Sequence, residues 1–223
     1  MHYPVNEIFQ TLQGEGYFTG TPALFIRLQG CPVGCSWCDT KHTWTLDPSA
    51  ERPSVTILTK QEDNAQWCRL TATAIGEQLA LSGYTARHVV ITGGEPCLHN
   101  LIPLTTHLEQ AGYRCQIETS GTAQVHCSPD TWVTVSPKVG MQGGLAIEQQ
   151  ALQRADEIKH PVARERDITQ LHTLLQQLDD QKNRIIALQP ISQNRRATQW
   201  CIQACITHNW RLSVQLHKYL EIA

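Results

Sequence analysis

Much that would place a chain quickly is missing from this one. No stretch of about 18 apolar residues occurs, so no segment reads as a membrane span. The first residues, Met1-His-Tyr-Pro-Val-Asn6, lack the charged-then-apolar pattern of a secretory signal, and a cytoplasmic location is expected. No run of Lys or Arg exceeds two residues, and 18 basic side chains meet 20 acidic ones for a net charge of −2. Tight binding to nucleic acid rests on many phosphate contacts, so no direct nucleic-acid partner is expected and a small molecule suits the chain better. There is no repeat of fixed period and no obvious carboxylate pair for acid–base work. With 223 residues the chain reads as one ordinary domain, 1–223, long enough for a real core.

Cysteine, in contrast, is plentiful: nine residues, an odd number. Six of them (68, 97, 115, 127, 201 and 205) are scattered without a disulfide framework and are expected to be free thiols in a reducing compartment. Cys201 and Cys205 stand one helical turn apart and read as a buried helix face, since free Cys packs as a small hydrophobe. Cys97 reads the same way. The other three form Cys31-Pro-Val-Gly-Cys35-Ser-Trp-Cys38, three thiolates that can converge on one soft metal centre. Three Cys leave one place open. For an iron–sulfur cubane this means a fourth iron free to bind something else. A zinc knuckle completed by His42 is the competing reading, which would make the chain a non-catalytic zinc-binding module.

Around this loop, strand and helix signals alternate. Residues 23–29 form a short β-forming run ending at Gly30, so the Cys loop follows a strand's C-terminal end. Arg27 is anomalous in that run. A charge there is costly unless paired, either with a bound carboxylate or with one from the protein. Residues 6–20, with few apolar residues and three Gly, read as a loop or short edge strand, and residues 45–70 as a polar insertion or flexible cap. Helices are expected over 71–82, 101–111, 145–155, 168–178 and 195–208, and strands over 88–92, 114–119, 132–135, 157–162 and 184–189. Such alternation implies a parallel sheet wrapped by helices. About six strands are too few for a full eight-stranded barrel of ~250 residues.

The Cys-x3-Cys-x2-Cys element resembles the signature of radical S-adenosylmethionine (SAM) enzymes. With Phe9-Gln-Thr-Leu-Gln13-Gly-Glu15-Gly16, Arg27-Leu-Gln-Gly-Cys31, Cys38-Asp39-Thr40 and Gly93-Gly94-Glu95-Pro96, the chain resembles the 7-carboxy-7-deazaguanine synthase family of the queuosine tRNA-modification pathway. The likeness covers nearly the whole chain and is weakest over residues 45–80. It implies an α/β fold, a partial, open TIM-like barrel of about six parallel strands with helices outside. It implies a 4Fe-4S cluster on Cys31, Cys35 and Cys38, and SAM lined by Trp37, Cys38, Asp39, Gly94, Ser136, Pro137, Lys138 and the turn from Gln189 to Ser192. Thr40 would be a Mg²⁺ ligand, where a bare sequence reading makes it an ordinary turn hydroxyl. The substrate would be 6-carboxy-5,6,7,8-tetrahydropterin, held by Leu12, Gln13, Gly14 and Glu15, with Arg27 on its carboxylate and Thr92 nearby. For Gln13, loop capping is the commoner role. Reduction, expected from flavodoxin, would split SAM to a radical that takes hydrogen from C6; ring contraction and loss of ammonia would give 7-carboxy-7-deazaguanine. Likeness also implies a homodimer. A radical SAM activase acting on a glycyl-radical partner protein shares the Cys spacing and is the alternative within enzymes. One departure stands out: Gln215-Leu216-His217-Lys218 has Leu where the family pattern has Thr.

Overall fold

The computed structural model describes residues 1–191 and 194–220. Nine strands form one sheet: β1 (His2–Leu12), β2 (Pro22–Leu28), β3 (Cys68–Thr71), β4 (His88–Gly93), β5 (Arg114–Thr119), β6 (Trp132–Val135), β7 (Glu157–Val162), β8 (Ile185–Pro190) and β9 (Arg211–Leu212), in the order β3-β1-β2-β4-β5-β6-β7-β8-β9. From β2 to β9 every pairing is parallel, while β1 runs antiparallel to both neighbours. The sheet does not close, and β3 and β9 are its edges. Helices α1 (Ser54–Leu58), α2 (Ala72–Leu81), α3 (Ile102–Gln110), α4 (Gln149–Arg154), α5 (Glu165–Gln176), α6 (Arg195–His208) and α7 (His217–Leu220) complete the chain. This is the mostly parallel, open α/β architecture expected.

Side chains alternate across a strand with period two, and here the two faces differ in chemistry. On β5 to β7, Cys115, Ile117, Val133, Val135, Ile158 and Val162 enter the apolar core with Leu104, Leu108, Leu152, Leu171, Cys201 and Cys205 from the helices. Cys97, Cys201 and Cys205 are therefore packing residues, as expected. The opposite face carries Gln116, Glu118, Thr134, Glu157 and Lys159, which hydrogen-bond to one another. That polar face is the inside of the open barrel.

Two readings of the N-terminal third change. Residues 6–20 are not a loop throughout: β1 is an eleven-residue strand between β2 and β3. Its polar residues made it look irregular, but Glu7 and Phe9 face the polar interior while Tyr3, Val5 and Ile8 enter the core. The 45–70 segment is tied down rather than loose. Ile57 and Trp67 are fully buried, the Trp67 indole donates to the Asp47 carbonyl (2.9 Å), and the segment leads directly into β3. Helix α4 starts only at Gln149, later than expected, because the amide of Glu148 just before it donates to the Gly121 carbonyl (2.8 Å); further upstream, the Gly143 amide donates to the Val33 carbonyl of the Cys loop at 3.0 Å.

Candidate active site

A cavity of about 510 Å³ opens on the polar face of the sheet. The Cys loop forms one wall. It leaves β2 at Gly30, whose amide donates to the Thr43 carbonyl (2.7 Å), and the Cys31 amide donates to Trp44 (2.8 Å). Gly34, at φ +70°, turns the chain so that Cys31, Cys35 and Cys38 all line the same cavity. All three are free thiols. Burial pushes Cys31 up to about 11 and raises Cys35, with Cys35 and Cys38 adding to the rise at Cys31 and Cys38 adding to it at Cys35. Thiols that crowd and resist ionisation on their own suit a cationic centre, which deprotonates coordinating thiols outright. The donor set therefore fits an iron–sulfur cluster with one uncovered position. Trp37, Asp39 and Thr40 line the cavity from the same loop, the Thr40 hydroxyl lying 3.7 Å from the Cys38 sulfur.

Gly93 and Gly94 form the adjoining wall, with Thr92 before them. Here glycine is demanded by the protein itself. A Cβ at Gly93 would enter the Leu28 backbone, and one at Gly94 the Gly30 carbonyl. The amides of Gly94 and Glu95 donate to the Leu28 and Gly30 carbonyls (2.8 Å each). Those donors are thus taken up, so what this turn can offer a ligand is carbonyl acceptors. The Glu95 carboxylate is buried and accepts from the Thr119 hydroxyl (2.6 Å), the Ser120 amide (2.8 Å) and hydroxyl, and the Cys97 amide (2.9 Å). It fastens the ends of β4 and β5 together.

Ser136 and Lys138 line the cavity after β6, joined by a 2.9 Å hydrogen bond, and burial lowers the ammonium of Lys138 against the opposing pull of Cys35. Gln189 lines it from β8. Pro137 is buried between Ser136 and Lys138 and is not part of the lining. Ser192 lies outside the described residues.

The floor comes from the chain after β1. Leu12, Gln13, Gly14 and Glu15 line the cavity, although they leave the sheet at the edge opposite the Cys loop. They run against the inner face. Gln13 is buried, its amide nitrogen 3.3 Å from Gln116 Oε1 and 3.4 Å from Glu118 Oε1, and its oxygen accepts from the Glu15 amide at 3.1 Å. Loop capping, the commoner role, is therefore present. Glu15 accepts from Lys159 Nζ (2.7 Å) and Gln215 Nε2 (2.9 Å), and Lys159 also reaches Glu118 (2.9 Å). Burial would raise Glu15, but Lys159 and Gln215 outweigh it and hold the carboxyl at about 2. Glu118 goes the other way. Burial, with Glu15 and Glu157 nearby, pushes it up to about 7 in spite of Lys159. Three carboxylates around one ammonium cannot all be compensated.

Arg27 lines the cavity and is ion-paired to Glu7, the protein carboxylate weighed as its alternative partner. The C-terminal tail closes the remaining side. The Leu216 amide donates to the Gly14 carbonyl (2.9 Å) and Lys218 pairs with Asp39 (3.2 Å). The departure at Leu216 thus falls where the backbone makes the contact. Glu118, Lys159, Gln215, His217 and Lys218 are site residues that sequence reasoning missed; only the Gln-x-His-Lys pattern hinted at the last three. Glu7, His42 and Asp63 bring one ligand atom each within 4.8 Å of one another, but Arg27 and Lys60 stand beside them, giving a charge-balanced cluster. No helix among the described residues is long and apolar enough to cross a membrane.

Comparison with known proteins agrees with this geometry. The family model described as Telomere regulation protein Stn1 matches residues 5–92, less than half of the chain, and stops inside β4. It cuts the sheet in two and carries no assignment. The 7-carboxy-7-deazaguanine synthase of Escherichia coli (strain K12) is 61% identical over 223 residues, covering 100% of both chains. That of Buchnera aphidicola is 49% identical over 222 residues, again covering 100% of both, and that of Bacteroides thetaiotaomicron 37% over 219 residues, covering 98% of this chain and 97% of the relative. The crystal structure of QueE from Escherichia coli superimposes with a TM-score of 0.95 at 60% identity, covering 97% of this chain and 95% of the other. Shared sequence along the entire length and a shared fold lead to one conclusion: the chain belongs to the 7-carboxy-7-deazaguanine synthase family.

Proposed function

We propose that this chain is a radical SAM lyase that converts 6-carboxy-5,6,7,8-tetrahydropterin to 7-carboxy-7-deazaguanine with loss of ammonia, within queuosine biosynthesis. The observation that carries the reading is the meeting of three free thiols, the Gly94 turn and Arg27 around one cavity. Cys31, Cys35 and Cys38 would hold a 4Fe-4S cluster. Bound there, cluster and SAM would supply the radical chemistry needed to remove hydrogen from C6 of the pterin and allow ring contraction with loss of ammonia.

The chain's own residues bind, orient and shield. Carbonyl acceptors at Gly94 suit the ammonium group of SAM, and Trp37 and Asp39 from the Cys loop, with Ser136, Lys138 and Gln189 from the strand ends, surround the rest. Pro137 and Ser192 are proposed with them through the family pattern. Leu12, Gln13, Gly14 and Glu15 form the floor on which the pterin lies, presenting buried donors and acceptors to its edge. Arg27 takes its carboxylate and Thr92 binds nearby. Thr40 would hold Mg²⁺, which favours oxygen ligands and completes its shell with water and substrate. Flavodoxin as reductant, a homodimer and a cytoplasmic site of action complete the proposal; nine free thiols support a reducing compartment.

The test is anaerobic. Protein reconstituted with iron and sulfide should be brown, with absorbance near ~400 nm, and with SAM, a reductant and the carboxylated pterin should release product of the expected mass. Chelation should abolish turnover that Mg²⁺ restores. A colourless protein retaining stoichiometric zinc, or 5′-deoxyadenosine formed only beside a partner protein, would overturn the reading.

A further inference from the structure

We propose that Glu7 is a positioning residue for carboxylate recognition: it holds Arg27 by one nitrogen so that the terminal fork of the guanidinium is left for the ligand. This rests on the reading above, in which the substrate carries a carboxylate.

The observations begin with register. Glu7 on β1 is the direct partner of Arg27 on β2, and the pairing shifts register between Val5 and Glu7. A bulge re-aims side chains. Here the irregularity at Asn6 brings Glu7 beside Arg27, which lines the cavity, whereas Val5 stays in the core. Arg27 donates through Nε to Glu7. Among the described residues its terminal nitrogens, Nη1 and Nη2, make no hydrogen bond. The guanidinium lies over the ring of Phe9 at 5.5 Å, and Phe9 stacks on Phe25 at 5.3 Å. Arg27 is therefore held on one edge by an anion and on one face by a ring, and it lines the cavity.

A planar guanidinium binds a carboxylate best when two of its N–H groups point to it in parallel, and that geometry is worth most when it is preorganised. Nε anchoring secures this. The surrounding charges fit the role: Asp63 and Glu7 face Arg27 and Lys60, and the His42 ring lies near all four, its Nε2 buried and without a hydrogen-bond partner among the described residues. Glu7 is thus one half of a balanced set. The opposing possibility is that Glu7 competes with the ligand for Arg27, and the two ideas predict opposite signs.

The deciding experiment compares two ligands on reconstituted enzyme with SAM present: 6-carboxy-5,6,7,8-tetrahydropterin and 5,6,7,8-tetrahydropterin, which lacks the carboxylate. Glu7→Ala should weaken binding of the carboxylated pterin and raise its KM by about tenfold, the effect of a lost charge-assisted contact, with kcat at saturation little changed. Affinity for the unsubstituted pterin should stay within about twofold of wild type, and Glu7→Gln, which keeps an acceptor for Nε, should restore most of the loss. Should Glu7→Ala not fold, Glu7→Met drops the acceptor while keeping the volume. Tighter or unchanged binding of the carboxylated pterin overturns the proposal, as does equal weakening for both ligands. A wild-type enzyme that holds both pterins equally removes the carboxylate reading itself, and the proposal with it.

Discussion

His160 lies on the side of β7 away from the cavity and is 2% exposed. Burial drives its imidazole down to about 4, against the pull of Asp167 and with the charge of Lys138 adding to the fall. Above pH 6.5 the ring is neutral in both folded and unfolded chains. As pH falls from 6.5 towards 4, only the unfolded chain takes up the proton, so stability is lost, by roughly 3 kcal/mol in all. Urea unfolding of wild type and His160→Leu should show wild type losing that much more between pH 7 and pH 4; parallel curves would show another group to be responsible. Nothing in the local sequence, Glu157-Ile-Lys-His-Pro-Val162, separates this core histidine from Lys159 next to it, which faces the cavity. Cys31, Cys35 and Cys38 were legible because metal-ligand spacing is a property of adjacent residues. Glu118 was not, since its elevated carboxyl arises from burial, reinforced by Glu15 and Glu157, and both the burial and those neighbours come only with the fold.

Strands with both faces buried announced themselves through β-branched runs, and β4 to β8 fall where those runs stand. Strand β1 did not, because half of its residues face a polar interior. Its irregular residue, Asn6, also joins elements. The side chain is fully buried and donates to Gln29 Oε1 (2.7 Å) and to the carbonyls of Asn64 (2.9 Å) and Gln66 (3.0 Å), while its oxygen accepts from Lys60 Nζ (2.7 Å). Asn6→Ala would strand Gln29 and Lys60 without these partners and should cost about 2–4 kcal/mol. Amide exchange should then quicken over residues 60–66 well before it does in β4 and β5. Uniform acceleration throughout the sheet would contradict such a local anchor.

Across the molecule the apolar core and the cavity occupy opposite faces of one sheet, and this separates folding from chemistry. Removing a cluster thiol should therefore leave the fold intact. Cys38→Ala, compared with wild type as metal-free proteins, should keep its circular dichroism and lie within about 2–4 °C in Tm, the shift expected from about 1 kcal/mol at this size. It should no longer become brown on reconstitution. Loss of cooperative unfolding instead would show that the Cys loop supports the core. By itself the sequence determined the thiol spacing, the paired glycines, the strand and helix alternation and hence the open α/β class, since each depends on residues close together in the chain. Only the tertiary structure decided that the segment after β1 lies along the cavity floor, that Lys159 meets Glu15 and Glu118, and that Arg27 faces Glu7. Those pairings follow from strand order and register, which bring distant residues within hydrogen-bond reach and leave no mark on local spacing.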